Sequence, residues 1–245
     1  MRYKLAIFDL DGTLLDTLDD LSAAVNHAMQ LRGFPLHTRE EYRKMIGHGA
    51  RNLMRQALPA EHNDEAMIDA AYNDFKAYYT AHIDVHTKPF PRIQDLMTQL
   101  HQQGMLLAVA SNKFQEGTEH LIKEFFPDIP FVAVLGSRPD FPLKPSPEIV
   151  GEVLRKTNIE REEAVMVGDS DTDMETAANG GIEGIAVGWG YRNMRELADK
   201  WSALRPFDPS ILRGTSGTAS SGSFGPQGLK VADSAEELLS YLKNG

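Results

Sequence analysis

Asp9 and Asp11 stand two residues apart, directly after the apolar run Leu5-Ala6-Ile7-Phe8 and directly before Gly12. On an extended strand, residues two apart share a face, so both carboxylates can converge on one ligand. Like charges that close shift each other's protonation or recruit a cation. The chemistry open to them is that of a carboxylate nucleophile beside an acid/base, held at a metal. Gly12 permits the sharp backbone turn that such a strand end needs.

Three more polar clusters follow later apolar runs. Ser111-Asn112-Lys113 ends the run 105–110, Lys144-Pro145 lies in the loop beyond 131–135, and Gly168-Asp169-Ser170-Asp171-Thr172-Asp173 ends the run 164–167. Further strands are expected over 182–187 and 229–232. Between the strands, apolar residues recur at helical spacing over 93–103, 116–124, 147–156, 174–179 and 235–242. Short all-apolar strands alternating with helices imply a parallel sheet covered on both faces. The fold expected is α/β, a doubly wound, Rossmann-like parallel sheet whose site lies at the carboxyl ends of the strands. All four polar clusters then meet on one edge.

The stretch between the first two strands is helical instead. Leu18, Leu21, Val25 and Ala28 begin one helix, with Thr17 as its expected N-cap and Asp19 and Asp20 in its first turn. Others are expected over 40–46, 50–58 and 65–82. Residues 17–88 therefore read as a small all-helical domain inserted after the first strand, leaving 1–16 and 89–245 as the α/β core. Residues 205–228 break the pattern with a Gly/Ser-rich tract, expected to be a mobile loop. Sequence leaves open whether that tract is natural or engineered.

The composition narrows the function. A net charge of −10 over 245 residues argues against nucleic acid as a partner, because phosphate contacts need clustered Lys and Arg. The absence of Cys excludes disulfides, thiolate catalysis and Cys-bound zinc. No stretch approaches the roughly 20 apolar residues of a membrane span, and the first run is too short for a signal peptide. A cytoplasmic protein with no membrane partner is expected; oligomeric state has no signature here. His82 and His86 share helical i,i+4 spacing but lack a third ligand, and read as a solvated helix end.

The set Asp9-x-Asp11-Gly12-Thr13-Leu14-x-Asp16, Ser111-Asn112, Lys144-Pro145 and Gly168-Asp169-Ser170-x-x-Asp173 resembles the haloacid dehalogenase superfamily, whose four motifs occur in this order. The helical insertion is similar to that family's cap. The resemblance implies a phosphomonoester hydrolase in which Asp9 attacks phosphorus and becomes an aspartyl-phosphate. Asp11 would protonate the leaving oxygen and then deprotonate the hydrolytic water. Ser111, Asn112 and Lys144 would bind the phosphoryl group, Lys144 also offsetting the charge on Asp9. Mg²⁺ is the implied cofactor, held by the carboxylates of Asp9 and Asp169 and the backbone carbonyl of Asp11, with Asp173 in support.

Residues 45–53, Met-Ile-Gly-His-Gly-Ala-Arg-Asn-Leu, resemble the cap of phosphoglycolate phosphatases. That makes Arg51, His48 and Lys113 the expected substrate-selecting residues, and 2-phosphoglycolate the expected small phosphorylated substrate. The alternatives are phosphoryl transfer of the β-phosphoglucomutase kind and a pyrophosphatase. A non-catalytic relative is disfavoured by the intact set Asp9, Asp11, Lys144 and Asp169.

Overall fold

The computed structural model describes residues 1–198 and 229–244; the Gly/Ser-rich segment 205–228 lies outside the described residues. In chain order the elements are β1 (Leu5–Phe8), β2 (Leu15–Asp16), α1 (Leu18–Gln30), α2 (Arg39–Met45), α3 (Ala50–Ala57), α4 (Glu65–Ala81) and β3 (Lys88–Pro89). There follow α5 (Ile93–Gln102), β4 (Leu106–Phe114), α6 (Gln115–Phe125), β5 (Ala133–Ser137), α7 (Glu148–Thr157), β6 (Ala164–Gly168), α8 (Asp171–Gly180), β7 (Glu183–Val187), β8 (Lys230–Ala232) and α9 (Ala235–Asn244).

Six strands form one parallel sheet in the order β5-β4-β1-β6-β7-β8. Its pattern of burial explains the continuous apolar runs. Ala6 and Phe8 of β1 join one apolar cluster, while Leu5 and Ile7 join the cluster on the opposite face. Strand β6 repeats this, with Val165 and Val167 on one side and Ala164 and Met166 on the other. A sheet buried on both faces leaves no position for a solvated side chain, hence no alternation to read. The chain leaves β1 for β4 and β5 on one side and returns to β6, β7 and β8 on the other. The carboxyl end of β1 is therefore a topological switch point, where open α/β sheets bind ligands.

Helices α1–α4 lie between β2 and β3, which the sequence pattern did not reveal as strands. The two pair antiparallel, Leu15 with Pro89 and Asp16 with Lys88, and so join the outgoing and returning connections of the helical insertion. Asp20 secures the same junction. It accepts hydrogen bonds from the backbone N–H of His86 (2.9 Å) and Thr87 (2.8 Å) and from the Thr87 hydroxyl (2.8 Å), and is 3 % exposed. Its buried carboxylate serves the returning chain as well as the first turn of α1. Asp20→Ala strips these donors of their acceptor, and a loss of about 3 kcal/mol in unfolding free energy is expected. A chemical denaturation midpoint unchanged from wild type would contradict that role.

Two local readings shift. Thr17 makes no side-chain cap on α1; its hydroxyl donates instead to Asp11. Helix α8 begins at Asp171 rather than near 174, because Ser170 caps it and Asp173 completes a capping box. No described helix is long and apolar enough to cross a membrane.

Candidate active site

Asp9 is held at the end of β1 by its backbone N–H, which donates to the Val167 carbonyl of β6 (2.9 Å). Beside it, Lys144 is 4 % exposed and donates to Asp9 Oδ1 (2.8 Å) and Asp173 Oδ1 (2.6 Å). The other Asp173 oxygen accepts from the Ser170 hydroxyl (2.6 Å) and backbone N–H (3.1 Å). Asp169 accepts from the Tyr191 backbone N–H (2.6 Å) and the Thr13 hydroxyl (3.2 Å). A side chain at Gly12, where φ is +88°, or at Gly190 would overlap the Asp169 carboxylate, so both glycines let backbone close around it. Tyr191 was outside the sequence-derived site, though the Gly188-Trp189-Gly190-Tyr191 turn was a signal that could have found it, and Thr13 stood in the first motif with no role assigned.

The electrostatics are lopsided. Carboxylate oxygens of Asp9, Asp169 and Asp173 lie within 4.8 Å of one another, all buried, against the single ammonium of Lys144. Burial, then repulsion from Asp173, pushes Asp9 well above the ordinary carboxylate range, with Lys144 pulling the other way. The same two causes push Asp169 up to about 7, opposed by the Tyr191 N–H and the Thr13 hydroxyl. Burial alone would lower Lys144, but Asp173 and Asp9 outweigh it and hold the ammonium charged. A carboxylate that must attack as an anion is thus held towards protonation by its surroundings. An all-oxygen donor set with surplus negative charge fits a hard divalent cation, which would restore the ionised forms.

The remaining predicted residues are distributed unevenly. Asp11 turns its carboxylate to Lys113, whose Nζ donates to both oxygens (2.9 and 3.2 Å), and to the Thr17 hydroxyl (2.7 Å). That leaves its backbone carbonyl, rather than its side chain, for the metal role expected of it. Ser111 Oγ accepts from the Lys113 backbone N–H (3.2 Å), leaving its own hydrogen to give. Asn112 clasps the Lys144 backbone, accepting from its N–H (2.8 Å) and donating to its carbonyl (3.1 Å), and also donates to the Gly47 carbonyl of the helical insertion (3.1 Å). Its amide thus fixes the Lys144 loop more than it faces an incoming phosphate.

One cavity of about 60 Å³ brings Asp9, Asp11, Ser111, Asn112, Lys113, Lys144 and Asp169 together. Leu21, Ile46, Leu53 and Phe75 of the insertion close it with an apolar wall. Arg51 and His48 do not line it. Arg51 pairs with Glu65 (2.8 Å) and Asp69 of α4, and with His48 it lines a neighbouring cavity that shares Gly49, Ala50, Asn112 and Phe114 with the first. His48 is exposed and meets the Thr172 hydroxyl through Nδ1 (3.3 Å). Arg192, unforeseen from sequence, does line the cavity, its guanidinium donating to the carbonyls of Lys44 (2.8 Å) and Ile46 (2.8 Å).

The haloacid dehalogenase-like hydrolase family model matches residues 6–187, which span every one of these strand ends up to β7. The chain belongs to that family. It is 32% identical over 214 residues to a phosphoglycolate phosphatase from Mesorhizobium japonicum, covering 86% of this chain and 91% of the relative. A candidate phosphoglycolate phosphatase from Lactobacillus delbrueckii subsp. bulgaricus superposes with a TM-score of 0.81 at 30% identity, covering 99% of both chains. CbbY from Rhodobacter sphaeroides, solved in complex with phosphate, gives a TM-score of 0.62 at 26% identity over 77% of this chain and 88% of its own. Family and relatives together make this haloacid dehalogenase-like hydrolase a phosphatase.

Proposed function

We propose that this phosphatase hydrolyses 2-phosphoglycolate, with Mg²⁺ as cofactor and with residues 17–88 serving as a cap over an α/β core of 1–16 and 89–245. The observation that carries the reading is the buried Asp9–Lys144–Asp173 chain opening onto a cavity that the helical insertion walls with apolar side chains. Asp9 attacks phosphorus through the carboxylate oxygen not held by Lys144, forming an aspartyl-phosphate as the ester oxygen departs. Asp11 donates a proton to that oxygen and then takes one from the water that cleaves the acyl-phosphate. Ser111 donates to a phosphoryl oxygen, and Lys144 offsets the charge that the nucleophile and phosphate share. Asp9, Asp169 and the Asp11 carbonyl would hold Mg²⁺, which supplies charge neutralisation at the phosphoryl oxygens when bound. Phosphoglycolate phosphatases from three bacteria match 80–86% of this chain at 31–32% identity, which does not favour the mutase or pyrophosphatase alternatives.

Phosphate release from 2-phosphoglycolate, glucose 1-phosphate and pyrophosphate, with Mg²⁺ and with a chelator, tests this. Metal-dependent turnover strongest on 2-phosphoglycolate supports the reading; equal turnover across the panel removes the substrate.

Cation binding has a pH signature of its own. Asp169 has its folded value raised to about 7 from 3.8, so the folded state keeps a proton that the unfolded chain has lost. The stability it contributes is complete below 3.8 and disappears as pH rises to about 7. A cation favours the ionised form, so Mg²⁺ is expected to raise the melting temperature more at pH 8 than at pH 5. Equal increments at both pH values would show that these carboxylates do not hold it.

A further inference from the structure

Five buried side-chain atoms have no hydrogen-bond partner among the described residues: Tyr3 Oη, Ser22 Oγ, Asn63 Oδ1, Tyr79 Oη and Arg138 Nε. Only Tyr79 belongs to a residue that lines the cavity with Asp9 and Lys144. Buried polar groups are nearly always paired, because removing one from water without a partner costs free energy. An orphan hydroxyl in a ligand cavity is therefore a donor waiting for what enters.

The position of Tyr79 is fixed. It is 0 % exposed on α4, stacked on Phe75 (centroids 5.3 Å apart) and edge-on to Phe114 (6.2 Å), so its ring cannot swing away to find another partner. Burial, with the Asp11 carboxylate adding to it, raises the phenol well above its ordinary value, so the hydroxyl keeps its hydrogen at any working pH. The Lys113 ammonium lies over the same ring, 4.7 Å from its centroid. Tyr79 and Lys113 thus line the same cavity side by side. Leu21, Ile46, Leu53 and Phe75 of the same wall offer no side-chain donor, and Gly47, Gly49 and Ala50 bring only backbone groups to it. Arg192 spends its guanidinium on backbone carbonyls of Arg43, Lys44 and Ile46.

We infer that Tyr79 is a specificity-determining residue: its hydroxyl donates to the carboxylate end of the bound substrate, beside Lys113. This rests on the 2-phosphoglycolate reading and adds a residue to it. A charge-assisted hydrogen bond of this kind distinguishes a carboxylate from a methyl group in the same place.

The test compares 2-phosphoglycolate with ethyl phosphate, which carries a methyl group where the carboxylate stands, in wild type and Tyr79→Phe. The variant keeps the ring and its stacking, and loses an unpartnered hydroxyl, so its melting temperature should equal or exceed wild type. Its kcat/KM for 2-phosphoglycolate is expected to fall about tenfold to a hundredfold, chiefly through KM, with ethyl phosphate unchanged within twofold. Equal losses on both substrates would assign the hydroxyl a structural role and overturn the inference. So would a variant that keeps the full wild-type preference. A wild-type enzyme that does not distinguish the two esters would instead remove the substrate reading, and the role of Tyr79 with it.

Discussion

Asp9→Asn is expected to abolish turnover, on the order of 10⁴-fold or more in kcat, while leaving the metal-free protein as stable as wild type or more so. The two effects have one cause. An amide oxygen cannot form the acyl-phosphate, so the step that divides the reaction in two is lost. The shape of the side chain is kept, and its oxygen still accepts from Lys144, which holds Asp9 Oδ1 at 2.8 Å. What changes is charge. Burial and Asp173 already oppose ionisation of Asp9, so the wild-type chain carries that penalty in the folded state at neutral pH and above. Removing it should raise the melting temperature most at pH 8 and least at pH 5, since a raised carboxylate value withdraws stability as pH rises. Turnover within tenfold of wild type would dismiss Asp9 as the nucleophile. A marked fall in melting temperature at pH 8 would show that its negative charge stabilises the fold.

The sheet was legible because its strands are buried on both faces and hence unbroken in apolarity; 164–167 and 182–187 fall within a residue of β6 and β7. The strand ends were legible for a related reason. In a parallel sheet, polar residues directly after an apolar run have one edge to go to, so Asp9, Ser111 and Asp169 were bound to meet, and Lys144 joins them from the loop beyond β5. The direction a side chain takes across the insertion was not legible. Arg51 could face the cavity or α4, and only packing places Glu65 and Asp69 beside it. Asp20 looked like a helix-dipole residue because its partners, His86 and Thr87, lie 66 and 67 residues on. Tyr79 carried no signal at all: an orphan hydroxyl is defined by what does not approach it. Sequence also gave no warning that Asp9 would be pushed towards protonation, since that depends on Asp173 sharing its lysine.

That shared lysine is where stability and chemistry can be separated. Lys144→Met leaves Asp9, Asp169 and Asp173 buried with no cation among them. Breaking a buried pair by removing one partner typically costs about 3–5 kcal/mol, and a loss in that range is expected at pH 8. Lys144 holds both Asp9 and Asp169 down, so without it both values rise further and the deficit grows with pH. At pH 5, below the value of about 7 to which Asp169 is raised, that carboxyl already holds its proton in the folded state, and the variant should melt closer to wild type. Activity should fall by about 10²–10³-fold, because the charge shared by nucleophile and phosphate has lost its counterweight. Adding Asp173→Asn separates the two losses. The double variant removes one buried negative charge along with the positive one, and so should regain much of the stability at pH 8. It should regain none of the activity, since Asp9 still faces the phosphate without Lys144. A double variant that recovers turnover along with stability would mean that Lys144 serves only to hold the fold, and the chemistry would then have to be assigned to the other residues of the cavity.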